Sequence, residues 1–306
     1  MAFDGVTVHA LAHELNETFT DGHISKITQP ENDEVLLAVK VREGGTKRLF
    51  ISASASIPRA FIMEDNKTAP AVAPAFTMLL RKHLQGGRIK RIYQPSLERI
   101  INIEVEHRDE MGDLRTKTLV AEFMGKHSNI IFIDDKRVVI DSLKRVPSTV
   151  SSLREILPGR DYFIPETVAK KDPLKETDRD GFIMEVFSKG DSVMKALYGS
   201  YTGISPALAT ELCVRADIDP DMSTASVGVD GRFSLFEEFL SMMAAIGEDS
   251  YQPCIIFDGG RPVDFAVYEG RMYRDLDVKI RGSVSEAVEA FYRERDLYDR
   301  SRARSA

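Results

Sequence analysis

Residues 122–134 read EFMGKHSNIIFID, and Lys126, His127, Ser128 and Asn129 follow one glycine there, between two stretches that alternate like β-strands. A plain hairpin turn needs nothing so polar. A carboxylate (Glu122), a glycine that lets a backbone come close and several donors and acceptors at a hairpin tip suit recognition of a polar partner. They do not suit covalent catalysis, because His127 has no cysteine or serine nucleophile nearby in the context such chemistry requires.

Three other stretches carry candidate chemistry. FTMLLRKHLQGGRIKRIYQ, residues 76–94, holds Arg81, Lys82, Arg88, Lys90 and Arg91 with no acid, and His83 and Tyr93 lie close by. That mixture suits phosphate contacts and stacking, although a solvated helix face with a glycine stop is the plainer reading. SLERII sets Glu98 beside Arg99 at the start of a strand, where adjacent side chains point to opposite faces and each needs its own partner. YTGISPALATEL, residues 201–212, has the shape of a helix-hairpin-helix: a helix ending near Tyr198, a turn through Gly203, Ile204 and Ser205, and Pro206 opening the next helix. Such a turn exposes backbone N–H groups that can hold a phosphate, while a tight helix connection explains it equally well. No lysine or arginine falls between Lys195 and Arg215 to assist.

Metal and nucleotide chemistry find little support. His9 and His13 are spaced i, i+4 but lack the central glutamate of HExxH, and there is neither a GxGxxG nor a Walker-type loop. Cys213 and Cys254 lie far apart without CxxC spacing, which fits a reducing compartment and excludes a cysteine-rich zinc module. No cofactor and no metal are expected.

The elements that must position these residues follow from periodicity. Val8, Leu11, Leu15 and Phe19 mark an opening amphipathic helix. VLLAVKV and KRLFISAS read as strands joined through Gly44 and Gly45; a Pro-rich approach leads to a helix that Gly86 and Gly87 end. RIINIEVEHR places Ile101, Ile103 and Val105 on one face and Asn102, Glu104 and Glu106 on the other, predicting a half-exposed antiparallel strand. KTLVAEFM, SNIIFIDD and RVVIDSLKRV continue a meander. LPGRDYFIPETVAKKDPLKETDRD, residues 157–180, reads as a linker; helices follow, then short strands with a Gly-Gly turn, then a charged helix with Val284, Val288, Phe291 and Leu297 as its apolar stripe.

Composition sets the limits. With 306 residues, 43% hydrophobic and 29% charged, the chain can bury a core and reads as an ordinary globular protein. No run approaches the roughly 18 apolar residues of a membrane span. The first residues carry acids and no basic-then-apolar block, so no secretory signal is expected and the reading is cytoplasmic. The net charge of −7 is uneven: eleven acids face three arginines between Arg215 and Glu269, whereas residues 76–94 are purely basic. Local charge sets the field at a binding face.

Taken together and in order, MAFDGVTVHALAHEL, PAFTMLLRKHLQGGRI, QPSLERII, EFMGKHSNIIFID, LPGRDYFIP and GISPALATEL resemble the N-terminal part of one family, the ribosome-associated quality-control factors called RqcH in bacteria and NEMF in eukaryotes, also known as fibronectin-binding proteins of the FbpA type. The resemblance covers nearly the whole chain. It implies an α+β fold: a β-rich NFACT-N domain (1–172) similar to the N-terminal domain of formamidopyrimidine-DNA glycosylases, a helix-hairpin-helix domain (178–245), short strands closing the fold (250–282) and the start of a coiled-coil helix (283–306). On that reading the sequence is part of a longer protein.

The family's function implies a protein that binds the large ribosomal subunit carrying a stalled peptidyl-tRNA and recruits tRNA, alanine tRNA in bacterial members, for template-free alanine tailing of the nascent chain. By motif, its tRNA-contacting residues fall on Glu98, Arg99, Glu122, Met124, Lys126 and His127; Glu98 stands where the family usually has aspartate. The ribosome's RNA centre would join the amino acids, so no enzymatic activity is expected of this chain, nor a membrane or DNA partner. A repair glycosylase uses an N-terminal proline amine followed by glutamate, and this chain begins Met1-Ala2-Phe3-Asp4. A surface protein binding fibronectin or fibrinogen is the alternative class.

Overall fold

The computed structural model describes residues 3–165 and 170–305. The chain divides into two compact units that interleave along the sequence: a sheet unit of Leu11–Pro95 and Arg99–Thr167, and a helical unit of Met1–Ala10, Ser96–Glu98 and Val168–Ala306. The first helix, α1 (Gly5–Phe19), contributes residues to both.

In the sheet unit nine antiparallel strands run in the order β4-β3-β2-β1-β5-β6-β7-β8-β9. They are β1 (His23–Thr28), β2 (Glu34–Lys40), β3 (Thr46–Ser52), β4 (Arg59–Met63), β5 (Arg88–Tyr93), β6 (Ile100–Arg108), β7 (Leu114–Glu122), β8 (Asn129–Ile133) and β9 (Val139–Ser142). Between β4 and β5 lies α2 (Ala75–Leu84), which buries Phe76, Leu80 and Leu84. The Pro-rich stretch before Ala75 stays outside the helix, and Gly86 follows it at a φ of 82°, where a side chain would be strained.

Two sequence expectations change here. The first half of β6 is buried on both faces, Asn102 included, because alternation gives a half-exposed strand only where one face meets water. Residues 157–164 do not form a linker. Their Pro, Gly and charge content hides an apolar pattern: Ile156 and Tyr162 join Ile100, Val120, Ile131, Ile133 and Val139 in a buried cluster, with Ile164 packed against it. Single bridges, Val146 to Ile156 and Val138 to Asp161, fasten the segment to the sheet. The remainder of the expected linker includes residues 166–169, which lie outside the described residues, as do Met1 and Ala2 of the N-terminal argument.

The helical unit holds α3 (Arg179–Phe187), α4 (Val193–Ser200), α5 (Pro206–Arg215) and α6 (Val229–Gly247), then β10 (Cys254–Asp258), β11 (Arg261–Ala266) and β12 (Asp277–Ile280), and finally α7 (Val284–Ser305). Phe182, Tyr201 and Phe239 stack in its core with ring centroids 4.8–5.9 Å apart. Gly259 and Gly260, both at positive φ, turn β10 into β11. Val284, Val288 and Phe291 of α7 are buried, while Leu297 is exposed. No described helix is long and apolar enough to cross a membrane.

Candidate nucleic-acid interface

In register, Ile100 of β6 faces Glu122 of β7, and Glu122 faces Asn129 of β8. The ladder continues one step beyond: Phe123 N–H donates to the Arg99 carbonyl at 2.9 Å. Residues 123–128 therefore leave one end of the sheet directly beside Arg99.

The shape of this turn is fixed from within. Gly125 takes a φ of 56°, and a Cβ there would meet only the Ala55 carbonyl, 4.0 Å away. The glycine serves backbone conformation and not a tight protein contact. The His127 and Ser128 N–H groups close on the Met124 and Gly125 carbonyls, each at 3.0 Å. The Ser128 hydroxyl accepts the Met124 N–H at 2.9 Å, and Asn129 exchanges hydrogen bonds with both backbone groups of Lys144. Ser128 and Asn129 are buried. The four polar residues expected at an exposed tip thus split into two that hold the turn and two, Lys126 and His127, that face solvent.

Glu122 is also structural in its placement. It is 0% exposed. Its carboxylate forms an ion pair with Arg154 and accepts the Tyr162 hydroxyl at 2.8 Å; Arg154 further donates to the Phe163 carbonyl at 2.7 Å. Burial opposes the charge of Arg154, yet the Glu122 carboxylate holds it above the usual arginine value. Burial and the same carboxylate push the Tyr162 hydroxyl far upward, so it stays a donor. Sequence reading missed Arg154 and Tyr162 because both lie in or beside the supposed linker. The usable signal was Glu122 itself, since a carboxylate closing an apolar strand requires a buried cation.

The loop after β3 adjoins the turn. Lys144, just past β9, donates to the Ala53 carbonyl at 2.6 Å, linking loops that follow the second and the ninth strands in spatial order. Burial lowers the Lys144 pKa.

Arg99, Lys126 and His127 remain. All three are exposed, and among the described residues none has an ion-pair partner; Met124 is half-buried against the apolar cluster. Glu98 is half-buried and is grouped with the helical unit.

The basic segment is organised differently from its sequence. Arg88 pairs with Asp21 and Glu106, Arg91 with Glu104, Lys82 with Glu110, and Lys90 lies 3.9 Å from Glu106. Arg81 donates to the Ile27 carbonyl. Acids absent from residues 76–94 arrive from β6, the strand next to β5, and from the turns that hold Asp21 and Glu110, so the expected basic face is largely neutralised. Arg91 also lies 3.9 Å above the Tyr93 ring.

At the second expected site the helix pair is present as α4 and α5, and Gly203 turns at a φ of 80°. A Cβ there would strike the Leu97 carbonyl at 2.1 Å. Ile204 and Ser205 are buried. The Ser205 hydroxyl caps α5 by accepting the Leu208 N–H and donates to Asp4 at 2.6 Å, which places an acid where a phosphate was envisaged. His9 and His13 lie near Asp249 and Glu17, at 3.4 and 3.3 Å. No group of three potential ligands converges among the described residues.

The family profile described as NFACT N-terminal and middle domains matches residues 4–306. Among curated proteins, the Rqc2 homolog RqcH of Bacillus subtilis is 32% identical over 293 residues, covering 95% of this chain and 49% of that protein. The Rqc2 homolog RqcH of Streptococcus suis is 36% identical over 220 residues, covering 72% and 39%. The chain therefore spans half or less of the length of these relatives. Two solved structures superpose over nearly the whole chain at 28% identity. The N-terminal part of the fibronectin/fibrinogen-binding protein of Streptococcus suis has a TM-score of 0.78, with 96% of this chain and 100% of that one covered. The fibrinogen-binding protein of Staphylococcus aureus has a TM-score of 0.79, with 95% and 99% covered.

Proposed function

Because this chain belongs to the family of NFACT N-terminal and middle domains, we propose that it is the tRNA-engaging part of a cytoplasmic ribosome quality-control factor. In this reading the whole protein binds an obstructed large ribosomal subunit with its peptidyl-tRNA and recruits tRNA, alanine tRNA in particular, for template-free tailing of the stalled chain. Catalysis belongs to the ribosome, and the chain itself acts by binding. The observation that carries the reading is the contrast in charge: Lys126 and His127 on the turn and Arg99 beside it are exposed and without ion-pair partners, whereas most cations of the other basic stretch are matched by acids. Unpaired guanidinium and ammonium groups beside a stiff backbone suit phosphate and base contacts.

The supporting geometry redistributes the roles implied by resemblance. Arg99, Lys126 and His127 make the contacts, Met124 anchors the turn, and Glu122 fixes it from below.

Fluorescence anisotropy with labelled tRNA across a salt series tests the proposal. The wild-type chain is expected to bind with strong salt dependence, and Arg99→Ala and Lys126→Ala each to weaken binding and reduce the salt slope by about one phosphate contact. Salt-independent binding, or binding indifferent to both substitutions, overturns it. The solved relatives are named for fibronectin or fibrinogen binding, which supplies a second reading; capture of immobilised fibronectin by a chain that fails to bind tRNA would favour it.

A further inference from the structure

The outward face of the segment that clamps Glu122 carries an unexplained ring. The sequence contains 16 phenylalanines, and Phe163 alone among them is exposed, at 48%. Its neighbour Tyr162 points inward and donates to Glu122; Arg154 ties the Phe163 carbonyl to the same carboxylate. The backbone at 162–163 is therefore fixed, through one buried carboxylate, to the end of β7 from which the Lys126 and His127 turn departs.

We propose that Phe163 is a stacking platform for an unpaired base of the RNA whose backbone meets Arg99 and Lys126. This rests on the RNA-binding reading above and deepens it by naming the ligand class: single-stranded or loop RNA in preference to duplex. A flat apolar ring exposed to water, on a segment tied through Glu122 to the strand end from which the unpaired cations depart, offers what splayed-out bases require, namely a π-face to stack on and charge to hold the adjoining phosphates. The buried network underneath supplies rigidity, so little ordering entropy is lost when a base settles on the ring. A protein partner is the competing occupant, because Leu153, beside Arg154, is also exposed.

The chain contains no tryptophan, which makes Phe163→Trp a direct reporter. The probe is a labelled stem–loop RNA, compared with the same stem as a continuous duplex. Phe163→Ala is expected to weaken stem–loop binding by about 5- to 100-fold, the loss that one base–aromatic stack gives, with the salt slope unchanged because no phosphate contact is removed. Phe163→Trp is expected to keep wild-type affinity and to lose emission on saturation with the stem–loop but not with the duplex. Wild-type affinity in Phe163→Ala or Phe163→Leu, or tryptophan emission unmoved at saturation, overturns the proposal. So does a loss of stem–loop binding in Leu153→Ala equal to that in Phe163→Ala, which would mark a general apolar contact and not a base stacked on the ring. Intact salt-dependent binding with an indifferent Phe163→Ala removes this inference alone; no RNA binding by the wild-type chain removes the parent reading as well.

Discussion

At the end of β7 a carboxylate is taken wholly out of water, and it remains there because a guanidinium and a phenol replace its hydration. Removing one partner of such a pair leaves a buried charge, which is costlier than the pair's net worth. Arg154→Met is therefore expected to lower stability by about 3–5 kcal/mol, and Tyr162→Phe by about 1.5–3 kcal/mol, the range for a hydrogen bond to a charged acceptor. Urea unfolding with a constant m-value measures both. The sequence made Glu122 conspicuous but not its direction. Alternation along a strand tells which residues share a face, and only the covering segment decides whether that face is wet. The prolines and charges of that segment suggest a linker, and a linker would leave Glu122 open to solvent. Arg99, Lys126 and His127 are exposed because nothing far away in the sequence covers or pairs them.

Strand pairing explains the other misjudged feature. A run of residues without acids looks basic in one dimension, yet a strand is neutralised by its neighbours, and β6 brings Glu104 and Glu106 against Arg91 and Arg88. The Arg91 guanidinium holds the Glu104 carboxyl below its usual range. Glu104→Gln with Glu106→Gln is expected to release these cations and strengthen non-specific RNA binding, steepening its salt slope by roughly one to two phosphate contacts. Anisotropy with duplex RNA of arbitrary sequence checks this; an unchanged slope means the arginines remain held. Strands β2, β3 and β6 to β9, the glycine-ended α2 and the α4–α5 pair were readable from periodicity and breakers, whereas β1, β4 and the pairing of β1 with β5 were not. The charge balance was not, since it depends on register.

For the whole molecule, two buried acids of the helical unit set an unusual pH response. Burial raises Asp4 above its ordinary 3.8, despite hydrogen bonds from Ser205 and Thr7 that work the other way. Asp264 is raised likewise by burial, against a hydrogen bond from Tyr273. The folded state then holds these protons more tightly than the unfolded chain, so their contribution to stability is full below pH 3.8 and lost as pH rises through the folded values. Asp4→Asn with Asp264→Asn is expected to flatten stability in the interval above pH 3.8, where the wild-type chain loses stability as pH rises through these two groups. Thermal melts across that interval give the answer, and a slope unchanged by the substitutions refutes it.

Asp4 also binds the opening residues to Ser205, two hundred positions later, within a unit assembled from three separate stretches of chain. During synthesis, its first stretch leaves the exit tunnel long before the last one is translated. Residues 3–10, the start of α1 included, must then wait for their partners in the helical unit while the sheet unit can close behind them. A nascent chain that has released the sheet unit from the tunnel, but not the rest of the helical unit, would hold a closed sheet unit and an orphaned N-terminal segment, a state that proteases and chaperones can distinguish from the completed protein.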